Sequence, residues 1–293
     1  MQPDRVSTDG TLASEADSLR EQHAREIAAG ERFAFGDNWR SFLETVDEQR
    51  VDGAVRAIAE SLGGGRLDGL SVLDAGSGSG LSSLAALRLG ARRVHSFDYD
   101  PASVACTAEI RRRFAPDAAQ WTVEQGSALD RAYVARLGTF DLVYSWGVLH
   151  HTGALWDALD VVQSAVAPGG RLLVAIYNDQ GGASRRWRTV KRIYCGSAAG
   201  RASMTAAFYP YFALGALVGD LRGGRNPLAR YRGRLERGMS PVHDWRDWLG
   251  GYPFEVARPE QVFDFCRARG FTLQHLRTCG GGLGCNEFVF RRT

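Results

Sequence analysis

The stretch VLDAGSGSG, residues 72–80, decides how this chain is read. A short apolar run carrying one acid, Asp74, leads straight into glycines at positions 76, 78 and 80, and Leu81 then opens a helical pattern. Without a Cβ, such glycines allow a tight turn and let backbone amides approach a ligand closely. Strand, glycine loop and helix in that order begin a parallel α/β sheet, in which ligands sit beyond the carboxyl ends of the strands.

Outward from this loop, short apolar runs alternate with helical stretches. Strands are expected over 71–75, 93–97, 120–124, 140–144 and 171–177, and helices over 81–89, 101–113, 128–137 and 155–166. APGG (167–170) reads as the turn into the fifth strand. Asp98 ends the second strand, twenty-four residues after Asp74, where a carboxylate can accept from both hydroxyls of a ribose. About seventy residues without a strand signal follow, then a helix over 259–269 and two strands, 271–277 and 287–291, joined by CGGGLGCN. So short a link makes that last pair antiparallel, because a parallel crossover needs a dozen or more residues. Upstream, a helix is expected over 15–29. FAFGDNWRSF (33–42) then leads into a second helical pattern through Leu62, which the glycines at 63–65 end.

The 293 residues, 44% hydrophobic and 24% charged, suit one large domain or a domain with an insertion. Five cysteines without a CxxC pair make no disulfide framework, which points to a reducing compartment and a cytoplasmic protein. The polar start Met1-Gln2-Pro3-Asp4 lacks the apolar core of a signal peptide. Net charge is +3 but uneven: residues 181–240 hold twelve Arg or Lys against Asp220 and Glu236, a net +10, leaving −7 elsewhere. Lys191 is the only lysine, a bias towards arginine that a GC-rich genome would produce. The eighteen uncharged residues 202–219 are barely long enough to span a membrane and contain Pro210; buried lid or interface helices are expected there.

LDAGSGSG, VHSFDYD, FDLVYSWGVLHH and APGGRLLVAIY, in this order and spacing, resemble the motif series of class I S-adenosylmethionine-dependent methyltransferases over roughly residues 70–177. The resemblance implies an α/β fold, a Rossmann-like, doubly wound seven-stranded sheet with an antiparallel last strand. Around it are expected an N-terminal helical cover (1–66) and a helical acceptor-binding lid (181–255) inserted after strand five of the core (67–180 and 256–293). The implied cofactor is S-adenosyl-L-methionine. By matching position, Asp74 orders its methionine end, Gly76, Ser77, Gly78 and Gly80 let the ligand backbone pass, Asp98 holds the ribose and Tyr99 packs on adenine. GSALD (126–130) matches the adenine-side segment and adds Ser127 and Ala128, although the family often has an acid where Ser127 stands. Ser145 and Trp146 complete the implied cofactor set. A Rossmann dehydrogenase is the rival, but its fingerprint is GxGxxG and this loop reads GxGxG.

SWGVLHHTG (145–153) places two histidines at the edge where an acceptor must lie. Residues 177–181 and 279–286 emerge at the same edge, so His150, His151, Tyr177, Asn178, Asp179 and Asn286 are expected to converge. Histidine trades a proton near neutral pH. The resemblance implies His151, which matches the family's more regularly retained position, as the general base, with His150 and Asp179 as the other catalytic candidates and a rate rising through an ordinary histidine pKa. The plain alternative is that HTG only opens the next helix, with Thr152 as its cap. Some quinone-type O-methyltransferases of this fold hold a divalent metal near this segment with carboxylates. Gly147 and His150 stand there instead, so no metal is expected, and Cys266, Cys279 and Cys285 match no familiar zinc spacing.

From the insertion, Arg185, Trp245 and Tyr252 are expected to bind the acceptor, and FGDNW to cover the cofactor. The expected reaction moves a methyl group to O, N or C of a small molecule, an anionic one if the excess of arginine recognises it. Methylation of RNA or tRNA through the basic insertion is the alternative, together with cofactor binding without catalysis. No recognisable RNA-binding module is appended. No membrane span is expected, and a homodimer is compatible with the sequence.

Overall fold

The computed structural model describes residues 8–224, 226 and 241–293. Seven strands make one sheet: β1 (Ser71–Ala75), β2 (Arg93–Asp98), β3 (Trp121–Gln125), β4 (Phe140–Trp146), β5 (Val166–Tyr177), β6 (Phe271–Arg277) and β7 (Cys285–Arg292). Their order is β3-β2-β1-β4-β5-β7-β6. The first five run parallel, and β7 lies antiparallel between β5 and β6. Every residue of β1 is buried, as expected of a parallel strand with helices on both faces.

The helices are α1 (Thr8–Ala28), α2 (Phe35–Leu43), α3 (Glu48–Ser61), α4 (Leu81–Arg88), α5 (Pro101–Phe114), α6 (Arg131–Leu137), α7 (Leu155–Ser164), α8 (Gly182–Gly196), α9 (Ala198–Arg222), α10 (Pro241–Gly250) and α11 (Pro259–Arg267). Val51, Ile58, Leu84, Cys106 and Ile110 carry α3, α4 and α5 onto one face of the sheet. Val134, Leu159, Val162, Val262 and Cys266 carry α6, α7 and α11 onto the other. A third, smaller core joins Tyr194, Cys195 and Leu249 of the inserted helices to Phe33 of the N-terminal segment, so the insertion and the cover share packing.

Several boundaries differ from the sequence expectation for identifiable reasons. The helical pattern expected through Leu62 is two helices, because the Asp47 carboxylate accepts from the Arg50 amide at 3.0 Å and caps a new start. Asp130 caps α6 in the same way through Tyr133, which delays that helix to Arg131. Strand β5 begins before APGG: pairing passes from Phe140↔Val166 to Leu142↔Arg171, so residues 167–170 form an irregularity within the strand. The first helix begins at Thr8 instead of near residue 15.

Residues 202–219 belong to one helix, α9, which continues through Pro210. The expectation of burial fails there. Asp220 is its buried residue, while Tyr211, Leu214 and Leu221 are 64%, 61% and 62% exposed. By length and composition α9 is long and apolar enough to cross a membrane.

Candidate active site

A cavity of about 1180 Å³ opens at the carboxyl edge of the sheet and runs from the glycine loop to the inserted helices. Sites for one small molecule run to roughly 300–1,000 Å³, so this volume suits a cofactor and an acceptor side by side.

At the loop end, the turn after β1 has a positive φ of 87° at Gly76, and a Cβ there would stand 2.3 Å from a Val148 methyl. Only glycine lets residues 146–148 cross so close. The Asp98 carboxylate accepts from the Gly78 and Asp100 amides, both at 2.9 Å. Burial pushes the Asp98 carboxyl up to about 7 and that of Asp74 up to about 6. Both acids line the cavity. Hydroxyl donors on a ligand would supply the hydrogen bonds that a buried carboxylate needs.

The N-terminal segment closes over this end. The Gly36 amide donates to Asp100 Oδ2 at 2.7 Å, and a Cβ at Gly36 would come within 2.4 Å of the Ala102 Cβ, so α2 docks tightly on the start of α5. Trp39 of α2 lies against Gly78 of the loop. Arg32 holds Glu26 at 2.6 Å, stacks 4.8 Å above the Tyr99 ring and donates to the His151 carbonyl at 2.9 Å. One arginine thus ties the cover to both ends of the cavity. His23 Nε2 is buried at the wall, with no hydrogen bond among the described residues. That imidazole, 3.8 Å from Asp100 Oδ2, the glycine cradle and the buried acids fit a bound nucleoside with polar substituents.

The far end is aromatic. Tyr177, Trp187, Phe212, Trp245 and Trp248 line it together with Asp247 and His151. The His151 ring meets the Pro253 carbonyl through Nδ1 at 2.7 Å. A carbonyl only accepts, so the proton sits on Nδ1 and the lone pair on Nε2. Burial, with Lys191 and Arg32 adding to it, lowers the His151 pKa to about 3 against the help of the Pro253 bond. The expectation of an ordinary histidine pKa is corrected accordingly.

The expected site residues divide. Asp74, Gly76, Ser77, Gly78, Asp98, Tyr99, Ser127, Ala128, Trp146, His151, Tyr177 and Trp245 all line the cavity. The others lie elsewhere. Gly80 faces Thr107 of α5, where a Cβ would meet backbone at 2.8 Å. Ser145 points across the sheet and donates to the Ala75 carbonyl at 2.8 Å. His150 is wholly buried and accepts the Tyr177 amide on Nδ1 at 3.2 Å. Asp179 accepts from the Gly181 amide at 2.8 Å and closes a turn. Asn286 donates to Asn178 Oδ1 at 3.0 Å and accepts from the Cys279 amide, while Asn178 donates to the Gly282 carbonyl, so both amides are engaged within the hairpin edge. Arg185 is exposed on α8. Tyr252 packs in the third core and offers its carbonyl to the Phe33 amide at 2.8 Å. Sequence reasoning missed Arg32, His23, Asp247 and Lys191; the singularity of Lys191 was the one available signal.

Strand order, glycine loop and acidic strand ends define a doubly wound α/β domain that takes a nucleoside ligand at its carboxyl edge. A family model described as "Methyltransferase domain" matches residues 73–172, about a third of the chain, so this stretch carries a methyltransferase domain. The ribosomal protein L11 methyltransferase of Methylococcus capsulatus is 34% identical over 109 residues, 37% of this chain and 34% of that protein. The tRNA U34 carboxymethyltransferase of the same organism is 31% identical over 147 residues, 50% of this chain and 40% of that protein. The chain thus spans about a third of the length of the first of these relatives and two fifths of the second. The magnesium protoporphyrin IX methyltransferase of Synechocystis PCC 6803, solved with S-adenosylhomocysteine, superposes with a TM-score of 0.51 at 17% identity. It covers 88% of this chain and 94% of that one, a likeness of fold.

Proposed function

We propose that the protein moves a methyl group from S-adenosylmethionine to an oxygen, nitrogen or carbon nucleophile of a small, ring-bearing molecule, with His151 taking the acceptor's proton. The state of the His151 ring carries this reading: its Nδ1–H is committed to Pro253, and the ring lines the cavity with its Nε2 lone pair unspent. When bound, the cofactor would supply a methyl group already activated on a sulfonium sulfur. The chain's residues orient and shield. Asp98 and the glycine loop hold the nucleoside, and the aromatic wall aligns the acceptor and excludes water. His151 receives the acceptor proton on Nε2 and, because burial disfavours the imidazolium, passes it on once the methylated acceptor leaves and water enters.

The acceptor end supports a neutral or cationic molecule over an anionic one. Among the described residues of the insertion, no arginine lines the cavity and Asp247 does, while Arg32 lines it from the cover and Arg277 from the end of β6. The arginines of α8 lie on its exposed side. The free cysteines suit the reducing cytoplasm, where we place the protein. The test is transfer of labelled methyl from the cofactor into a cell extract separated into small molecules, RNA and protein. Label in the small-molecule fraction, lost with His151→Gln, supports the proposal. Label in RNA or protein instead would make the acceptor resemble those named for the relatives.

A further inference from the structure

Lys191 is the only lysine beside thirty-five arginines, and it is completely buried. Its Nζ donates to the Trp248 carbonyl. It lies 4.5 Å from the centroid of the Trp248 ring, 4.9 Å from that of Phe254 and 6.0 Å from that of Tyr177. A Cβ at Gly251 would stand 2.9 Å from His151 Cε1 and 3.4 Å from Lys191 Nζ, so amine and imidazole flank the same Cα. His150 fills the rest of this wall, its ring 3.9 Å from Tyr177 and 4.4 Å from His151. Tyr177 and Trp248 line the cavity, and Lys191 stands behind them. An arginine would stay charged in such a place, whereas a buried ammonium can shed its proton.

We propose that Lys191 is a positioning residue that governs the proton affinity of His151: as an ammonium it bars His151 from taking the acceptor's proton, and as an amine it permits it. This inference rests on His151 being the base. Around Lys191 stand His150 and His151 from the turn after β4, Tyr177 of β5, Cys195 of its own helix and Asp247 of α10, with Arg32 bearing on His151 from the cover. Burial brings Lys191 down to about 7, with Cys195 and Asp247 opposing. Below that pH two cations would have to share one apolar wall if His151 took a proton. Above it only one would. The rate therefore rises with pH as Lys191 deprotonates, and the limb near neutrality belongs to the lysine.

The sole lysine gives a single side-chain resonance in protein grown on 13C,15N-lysine, so wild-type protein suffices for the first measurement. A midpoint near 7 is expected; one above 10 overturns the proposal. With 13C-histidine, the His151 signal, assigned by its loss in His151→Gln, should keep its neutral position as far down in pH as the fold survives. In Lys191→Met its midpoint should rise by roughly 1–2 pH units. A folded Lys191→Met protein with an unmoved His151 signal reduces Lys191 to packing and refutes the coupling. In labelled methyl transfer, the limb near pH 7 should vanish in Lys191→Met and persist in wild type; persistence in both overturns the proposal. Full transfer by His151→Gln would instead remove the base reading, a failure distinct from that of the two NMR midpoints.

Discussion

The two ends of the cavity are both buried, yet they hold opposite chemistry. At the loop end the groups are acids, Asp98 and Asp74, pushed up to about 7 and about 6. At the acceptor end, beside Asp247, two bases, His151 and Lys191, are brought down to about 3 and about 7. Desolvation drives both sets towards their neutral forms. Asp98 sits among the Gly78 and Asp100 amides and Asp74 accepts from the Ser83 hydroxyl, and both offer acceptors to a ligand's hydroxyls. The bases sit among rings and carbonyls of a distant segment, His151 on Pro253 102 residues away and Lys191 on Trp248 57 residues away.

The largest expected effect separates these roles. His151→Ala should lower labelled methyl transfer by about 10²–10⁴-fold, the usual contribution of a general base, while calorimetry shows cofactor affinity within about twofold of wild type. An equal loss in both would erase the division between the ends.

The converse variant acts at the loop. Asp98→Ala should weaken S-adenosylmethionine binding by about 1.5–3 kcal/mol through lost charge-assisted hydrogen bonds, and NAD should not bind. Unchanged affinity would take Asp98 out of the ribose site.

Stability against pH sharpens the contrast without a substrate. The folded pKa of His151, about 3, lies below its unfolded 6.5. Its contribution is therefore full above pH 6.5 and lost as pH falls towards 3. The folded pKa of Asp98, about 7, lies above its unfolded 3.8, so its contribution is full below 3.8 and lost as pH rises through 7. Thermal unfolding of ligand-free protein should show Asp98→Asn gaining about 1–3 kcal/mol at pH 8 relative to pH 4. His151→Gln should shrink the loss of stability between pH 7 and pH 5 by up to about 2 kcal/mol. Parallel pH profiles for the two variants would refute the opposed linkage.

The smallest effect is expected on the exposed arginines. Arg185→Ala with Arg186→Ala should change the acceptor KM by less than about twofold, and added salt should hardly move it, because these charges lie outside the cavity and in solvent. A steep salt dependence abolished by this pair would bring back recognition of an anionic acceptor.

Legibility followed the same division. The glycine loop, Asp74 and Asp98 were readable because strand, turn and helix are consecutive and their periodicity tells which residues meet the ligand edge. Even there, neighbours misled: Ser145 and Trp146 were grouped, but alternation along β4 turns the serine to the Ala75 carbonyl and the indole to the cavity. Gly80 belongs to the same GxGxG run, yet it serves the approach of α5. The paired histidines were visible as a pair, and nothing local distinguished the one that accepts the Tyr177 amide from the one that lines the cavity. The excess of arginine was equally visible, and its direction was not.

By itself the sequence determined the sheet, its antiparallel last strand and the nucleoside end, because hydrophobic period, glycine positions and loop lengths are local properties of the chain. Only the tertiary structure decided the acceptor end. There Arg32, His151, Lys191 and the pair Trp248 and Pro253 come from four separate segments. Their protonation states depend on how completely these segments together exclude water, a quantity that no single stretch of residues contains.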